Sequence, residues 1–152
     1  MPKENSLSDY INKSNKITKV FDRKIRISLL SSFTINGLSE ILKVKSAERN
    51  ISCTVYEAPY NQYSQEILNK KSDLYKFLPD MTFLIIDARN IFGEIFRFPY
   101  SISHLERAKI VENKINELKN LLDNYIENSN SKIIVTKLNI PSFSPNGIFE
   151  SK

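Results

Sequence analysis

One stretch of the chain, KIRISLLSSFTIN from Lys24 to Asn36, constrains the fold more than any other. It contains an apolar run over residues 25–30 that predicts a buried strand, then Ser31 and Ser32, then a predicted helix that begins near Thr34. A strand, a short polar turn and a helix are the first half of a βαβ unit, and ligands of open α/β sheets bind where such strands end. The stretch therefore predicts a fold class and the edge of the sheet at which to look for a site.

The rest of the chain repeats this alternation of strands and helices. Around the first strand, the pattern predicts strands at 51–56, 81–86 and 132–137 and helices at 35–49, 64–69, 72–77 and 103–127. Residues 91–100 are rich in aromatic side chains and are expected to form a loop. The run at 81–86 is apolar on both faces, as in a central parallel strand. The pattern predicts an α/β protein with a parallel sheet, right-handed crossovers and the first strand in the interior.

The longest predicted helix, 103–127, has a clear start and an apolar stripe. Ser103 followed three residues later by Glu106 matches a capping box. At 1.5 Å per residue the helix would be about 37 Å long, so one end is expected to extend beyond the sheet. The predicted buried stripe contains Leu105, Ala108, Val111, Ile115, Leu118, Leu122 and Tyr125.

Two segments differ in composition. Residues 1–21 form a polar leader with room for one short helix, and residues 22–152 form the α/β domain. The net charge is +5, but residues 1–26 carry seven Lys/Arg against three Asp/Glu and so contribute +4 of it. A basic leader on a near-neutral domain does not predict a nucleic-acid-binding face.

The composition also bears on the compartment. Hydrophobic residues make up 41% and charged residues 26% of the chain, as in ordinary globular domains. No apolar run approaches the ~20 residues that cross a bilayer, and the N-terminus lacks an apolar signal core. The single cysteine, Cys53, cannot form an internal disulfide. We therefore expect a cytoplasmic protein without a membrane partner.

Polar side chains follow the predicted strands and are expected to meet at one edge of the sheet. Hydroxyls and amides at a helix start can bind an oxyanion or a phosphate, because free backbone N–H groups point there. The alternative is that they cap helices and that Asp87 pairs with Arg89 or with a backbone amide; both interpretations stay open. The candidate ligand-binding residues are Ser31, Ser32, Thr34, Asn36, Asn61, Gln62, Asp87, Arg89 and Asn90.

Several catalytic and metal sites can be tested against the composition. The only histidine, His104, lies at the start of the long helix, where it is expected to be a surface or capping residue rather than the base of a serine triad. One histidine and one cysteine are too few for a zinc site, and three scattered glycines exclude the glycine-rich nucleotide motifs. Asp87 follows a strand as a phosphoaspartyl nucleophile would, but Arg89 stands where a second aspartate is needed. No cofactor or metal is expected.

Four blocks of the sequence resemble one family: KIRISLLSSFTINGLSEILK, YEAPYNQYSQEILN, FLIIDARNIFGEIF and PSFSPNGIFESK. Over residues 22–152 the chain is similar to the N-terminal, SGNH-hydrolase-like domain of FkbH-like proteins. In those proteins this domain precedes a haloacid-dehalogenase-type phosphatase domain of subfamily IIIC. The resemblance implies a three-layer α/β/α, flavodoxin-like fold. It also implies a role beside a phosphatase domain that handles phosphorylated three-carbon or similar units, sometimes loading them onto carrier proteins.

The chain departs from the SGNH pattern at two positions. The pattern has Gly-Asp-Ser after the first strand, where this chain has Ser31-Ser32-Phe33. The Gly-x-Asn-Asp block corresponds best to residues 87–90, so its oxyanion-hole asparagine is replaced. The family's final Asp-x-x-His block and its phosphatase domain would follow residue 152, so we expect the domain to be truncated at its C-terminus.

Three functions follow as hypotheses. The first is a non-catalytic module that binds a substrate or carrier, or docks a phosphatase domain. The second is an SGNH-class esterase with Ser32 as nucleophile. The third is a phosphate or flavin binder that uses the turn from Ser31 to Asn36. The expected partners are a phosphatase domain or split partner chain, an acyl carrier protein or a phosphorylated small molecule.

Overall fold

A four-stranded parallel sheet forms the centre of the structure, a computed structural model that describes residues 5–138. The order of the strands is β2-β1-β3-β4, and all neighbours run parallel. The first strand therefore lies in the interior of the sheet, as predicted. The strands are β1 (Arg23–Ser31), β2 (Ile51–Glu57), β3 (Met81–Ile85) and β4 (Lys132–Val135).

Helices lie on both faces of the sheet and give the three-layer, flavodoxin-like fold that was predicted. They are α1 (Leu7–Asn15), α2 (Leu38–Ala47), α3 (Tyr63–Leu68), α4 (Asp73–Phe77), α5 (Ala88–Phe92), α6 (Glu94–Arg97) and α7 (His104–Asn128). On one face α2 packs on β2, and α1 packs on α2. On the other, α3, α4 and α7 bury Ile67, Leu74 and Leu121 against the sheet.

The first helix after β1 begins later than the sequence suggests. Thr34, near which the helix was predicted to begin, is exposed, and α2 starts at Leu38 with Gly37 as its N-cap. Gly37 has a φ of 87°, and a Cβ at this position would lie 2.2 Å from Cδ1 of Leu7 in α1. The left-handed backbone at position 37 favours glycine, and the side chain of Leu7 from α1 approaches it closely.

The aromatic segment at 91–100 is not wholly a loop, contrary to expectation. It contains the end of α5 and all of α6, with Gly93 between them. The side chain of Asp87 accepts a hydrogen bond from the backbone N–H of Arg89 and so caps α5. Helices of five and four residues are too short to leave a recognisable hydrophobic period, which is why the sequence did not indicate them.

The long helix α7 packs against the core through its C-terminal half. The capping box of Ser103 and Glu106 is present as predicted. Of the predicted buried stripe, Tyr125 is fully buried, but Leu105 is 81% and Ile115 is 59% exposed. The sheet is shorter than the helix, so the apolar stripe of the N-terminal half lies beyond the core.

Hydroxyl groups connect the sheet to α7 inside the core. The hydroxyls of Ser28 in β1 and Thr82 in β3 are hydrogen-bonded, and Thr82 also bonds the hydroxyl of Tyr125. Tyr125 in turn donates to Oγ of Ser131, which precedes β4, over 2.9 Å. These bonds satisfy polar groups that burial would otherwise make costly.

One half of the sheet is fully covered on a single face among the described residues. In β3, Thr82 and Leu84 are fully buried beneath α7, whereas Met81, Phe83 and Ile85 on the opposite side remain partly exposed. Ile134 pairs with Phe83 and is 41% exposed. We call these four apolar side chains, Met81, Phe83, Ile85 and Ile134, the β3–β4 face.

Candidate functional site

The ends of β1 and β3 are joined through Ser32. Its backbone N–H donates to the carbonyl of Ile85 over 3.1 Å, and its Oγ accepts a 2.9 Å hydrogen bond from the backbone N–H of Asp87. Its carbonyl accepts from the side-chain amide of Asn90 over 2.9 Å. Ser32 is fully buried. Ser32, the candidate nucleophile, therefore connects the ends of β1 and β3 by hydrogen bonds in this structure.

Asp87 and Arg89 form an ion pair at the same edge. The guanidinium donates to both carboxylate oxygens, with Nε at 3.1 and 3.0 Å. The side-chain hydrogen bonds from Arg89, supported by its backbone N–H, lower the pKa of the Asp87 carboxyl. The side chain of Asp87 is 10% exposed and that of Arg89 is 64% exposed, so the cation faces solvent. Both groups of this pair are already engaged with each other.

The nine predicted ligand residues divide into two groups. Ser31, Ser32, Asp87, Arg89 and Asn90 meet at the β1 and β3 ends, where Oγ of Ser31 accepts from the backbone N–H of Phe33. The others are exposed, and within residues 5–138 their side chains make no hydrogen bond to that group: Thr34, Asn36, Asn61 and Gln62. Asn61 lies in the turn before α3 with a φ of 54°. The structure thus brings together the residues of the first and third turns.

A cleft of about 430 Å³ opens beside this edge, between α3, α5 and α7. Asn90 is the one predicted ligand residue that lines it. The other lining residues are Tyr63, Ser64 and Leu68 from α3, Ile86 and Ile91 next to the end of β3, and Lys114, Glu117, Leu118, Asn120 and Leu121 from α7. Such a volume falls within the range of small-molecule sites.

Sequence reasoning missed most of this cleft. Lys114 and Glu117 lie beside the apolar stripe of α7 at a spacing of three residues, so their shared helix face could have been recognised. Their proximity to Tyr63 could not, because it depends on how α3 packs against α7. Burial raises the pKa of the Tyr63 phenol. A neutral phenol can donate a hydrogen bond.

The single histidine, His104, makes no hydrogen bond with Ser32. His104 is exposed at the first turn of α7, and no side-chain hydrogen bond joins it to another residue in the described part of the chain. Between residues 5 and 138, no group of three or more His, Cys, Asp or Glu side chains is arranged to hold a metal ion. None of the helices in this region is both long and apolar enough to cross a bilayer.

Comparison with sequence families identifies the domain. A sequence model described as the N-terminal domain of FkbH matches residues 26–149. The chain belongs to the FkbH N-terminal domain family. The match includes the turns after β1, β2 and β3, so all nine predicted ligand residues fall within the family domain. The search among curated proteins found no significant match.

One solved structure shares the fold of this FkbH N-terminal domain. It is the N-terminal part of the protein BF1531 from Bacteroides fragilis, containing a phosphatase domain and complexed with Mg. The two align with a TM-score of 0.72 at 20% sequence identity. The alignment covers 97% of this chain and 36% of the other, so this chain spans about a third of the length of the chain in that structure. At this identity the likeness shows the fold alone.

Proposed function

We propose that this FkbH N-terminal domain is the SGNH-like binding and docking module of a haloacid-dehalogenase-type phosphatase of subfamily IIIC, and that it has no hydrolase activity of its own. The observation that carries this proposal is the engagement of Ser32. A serine nucleophile needs access to its substrate and a base to take its proton. Ser32 is fully buried, and its Oγ already accepts the N–H of Asp87.

An SGNH-class esterase with Ser32 as nucleophile is the alternative, and ester turnover separates the two. We would measure hydrolysis of p-nitrophenyl acetate by the wild type, Ser32→Ala and Ser101→Ala. Ser101 is an exposed serine far along the chain and serves as the matched control. The binding module predicts no turnover above the uncatalysed rate in buffer for any of the three. A rate that disappears only in Ser32→Ala would establish the esterase.

The binding part of the proposal places a ligand at the carboxyl ends of β1 and β3. Ser31, Ser32, Asp87, Arg89 and Asn90 lie together there, and the 430 Å³ cleft begins at Asn90. In doubly wound sheets this edge is the usual ligand site. A phosphorylated small molecule or an acyl carrier protein is the ligand class implied by the family, and we expect the encounter to occur in the cytoplasm.

The docking part of the proposal uses the β3–β4 face. The sequence supplies apolar residues for both sides of β3, yet one side, which carries Met81, Phe83 and Ile85, is only partly covered within residues 5–138. We propose that a phosphatase domain of the haloacid-dehalogenase type covers this side. Exposed apolar side chains on adjacent strands are a common feature of such interfaces.

A matched pair of substitutions tests the docking part. Ile134→Glu places a charge on the β3–β4 face, whereas Ile126→Glu places one on an exposed position of α7. We would titrate each variant with a separately produced phosphatase domain of an FkbH-like protein in sedimentation velocity experiments. Loss of the complex in Ile134→Glu alone supports docking at this face. Loss in Ile126→Glu alone, or no complex with the wild type, contradicts it.

A third hypothesis, a flavin or phosphate bound by the turn from Ser31 to Asn36, predicts a yellow protein or thermal stabilisation by a flavin or a phosphorylated metabolite. In this turn Ser31 Oγ is already engaged by the N–H of Phe33, and Leu7 packs against Gly37 at the start of α2. These contacts favour the capping interpretation of the turn. Absence of colour and of any thermal shift would exclude the flavin hypothesis.

A further inference from the structure

We propose that the cleft between α3 and α7 binds a carboxylate that carries a short apolar chain, with Lys114 as its counter-ion. This inference rests on the binding function proposed above, and it assigns the cleft a substrate class that differs from the phosphorylated ligand implied by the family. It uses the cleft residues rather than Ser32 and Asp87, whose polar groups are already engaged with one another.

The floor of the cleft is apolar. Ile86, directly after β3, is 3% exposed, and Leu121 of α7 is 8% exposed. Ile91 and Leu118 are partly buried beside them, and Leu68 is 57% exposed. A hydrocarbon chain placed here would bury the exposed portions of these side chains, which favours binding in proportion to the apolar area removed from water.

One cation lines the cleft. The side chain of Lys114 is 35% exposed and that of its partner Glu117 is 64% exposed, with Nζ and Oε2 at 2.7 Å. Exposed ion pairs at a spacing of three residues contribute little, because water screens them and ordering the two side chains costs entropy. A ligand carboxylate can therefore replace Glu117 at Lys114 at small cost while Glu117 turns into solvent.

Neutral polar groups complete the lining. Tyr63, Ser64 and Asn120 also line the cleft, and their phenol, hydroxyl and amide groups are hydrogen-bond donors. Burial raises the pKa of Tyr63, so its phenol stays neutral to a higher pH than a free tyrosine. Donors of this kind satisfy the oxygens of a carboxylate.

The charge of the lining distinguishes a carboxylate from a phosphate. Sites for phosphate usually supply arginine forks or several backbone N–H groups. Among residues 5–138 the lining contains no arginine, and its single cation is Lys114. One lysine and several neutral donors match a single negative charge.

Isothermal titration of the whole chain with octanoate tests the proposal, with n-octylamine and octyl phosphate as comparison ligands. The variants are Lys114→Gln, Glu117→Gln and Lys119→Gln; Lys119 is an exposed lysine of the same helix that does not line the cleft. We expect octanoate to bind the wild type, Lys114→Gln to weaken binding about tenfold or more, and Lys119→Gln to leave it unchanged. Glu117→Gln should tighten binding, because it removes the competing carboxylate.

Three results would overturn the assignment: no octanoate binding, equal binding of n-octylamine, or unchanged affinity in Lys114→Gln. Tighter binding of octyl phosphate than of octanoate would overturn the choice of carboxylate. Circular dichroism of each variant verifies its fold, and Lys114 is peripheral enough for the substitution to be tolerated. The proposed absence of hydrolase activity is judged separately by the Ser32-dependent ester rate, so the two proposals can fail independently.

Discussion

The backbone N–H of Asp87 donates a hydrogen bond of 2.9 Å to Oγ of Ser32, 55 positions earlier in the chain. Ser32 also donates its own N–H to Ile85, so the turn after β1 and the turn after β3 hold each other. Ser32, the nucleophile of the esterase hypothesis, is thus a connection between two strands. We therefore expect substitution of Ser32 to lower the free energy of unfolding rather than the rate of a reaction.

Ser32→Ala should lower the free energy of unfolding by about 1–3 kcal/mol, because it leaves the buried N–H of Asp87 without an acceptor. Urea denaturation followed by circular dichroism measures this change. Ser31→Ala is the control, since Ser31 accepts only from the nearby N–H of Phe33, which is partly accessible to water. Equal effects of the two substitutions would contradict the connecting role of Ser32.

The Asp87–Arg89 pair should make stability depend on pH in a defined direction. Hydrogen bonds from Arg89 lower the pKa of Asp87 below the ordinary value of 3.8, so the folded state binds this proton less readily than the unfolded state. The contribution of the pair is present above that value and is lost as the pH falls through the lowered pKa.

Asp87→Asn provides the comparison for this pH dependence. The amide can still cap α5 through its oxygen but cannot form the ion pair. We expect the difference in urea midpoint between wild type and Asp87→Asn to be constant from about pH 7 to about pH 5 and to shrink below about pH 4. A difference that grows on acidification would show that the carboxyl is not stabilised by Arg89.

Gly37→Ala should destabilise the contact between α1 and α2. The new Cβ would meet Cδ1 of Leu7 at 2.2 Å, and the φ of 87° disfavours alanine by a further amount of about 1 kcal/mol. In a Leu7→Ala background, the destabilisation that comes from the steric contact should vanish, whereas the destabilisation that comes from the backbone conformation should remain.

Gly93→Ala isolates the backbone contribution, because Gly93 has a φ of 57° and no atom within 4 Å of its Cβ position. Thermal unfolding of the single and double variants gives the coupling energy between positions 7 and 37. A coupling energy of zero would mean that Leu7 moves away from Gly37 at no cost.

Tyr125→Phe should cost about 1–2 kcal/mol, because it removes the hydroxyl that joins Thr82 to Ser131 inside the core. Thr82 retains its bond to Ser28, which limits the loss. Tyr60→Phe, at a tyrosine that is 66% exposed, should change the free energy of unfolding very little. If both variants unfold at the same urea concentration, the hydroxyl network does not stabilise the fold.

Much of the architecture follows from local pattern. Apolar runs identify all four strands, and the capping box places the start of α7 to within one residue. The start of α2 was predicted too early, and the contact of its N-cap Gly37 with Leu7 joins different elements, which local pattern does not encode. The exposure of Leu105 follows from the length of the sheet, which no periodicity within α7 encodes.

The candidate site was predictable only where it depends on strand ends. Parallel strands place their carboxyl ends at one edge, so the meeting of Ser32 with Asp87 follows from the topology. The cleft depends instead on the distance between α3 and α7, and Lys114 enters it from a helix whose sequence otherwise predicts a solvent-facing lysine. Side chains brought by packing between helices are the ones that sequence reasoning missed.

The position of β4 at the end of the sheet favours self-association of the protein at high concentration. Beyond β3, the described residues leave its outer backbone N–H and C=O groups without a strand partner, next to the exposed side chains of Ile134 and Val135. An edge of this kind is a template on which another extended chain can add by hydrogen bonding. We expect concentrated samples to aggregate through this edge, which light scattering would detect. Val135→Lys should delay the onset of aggregation.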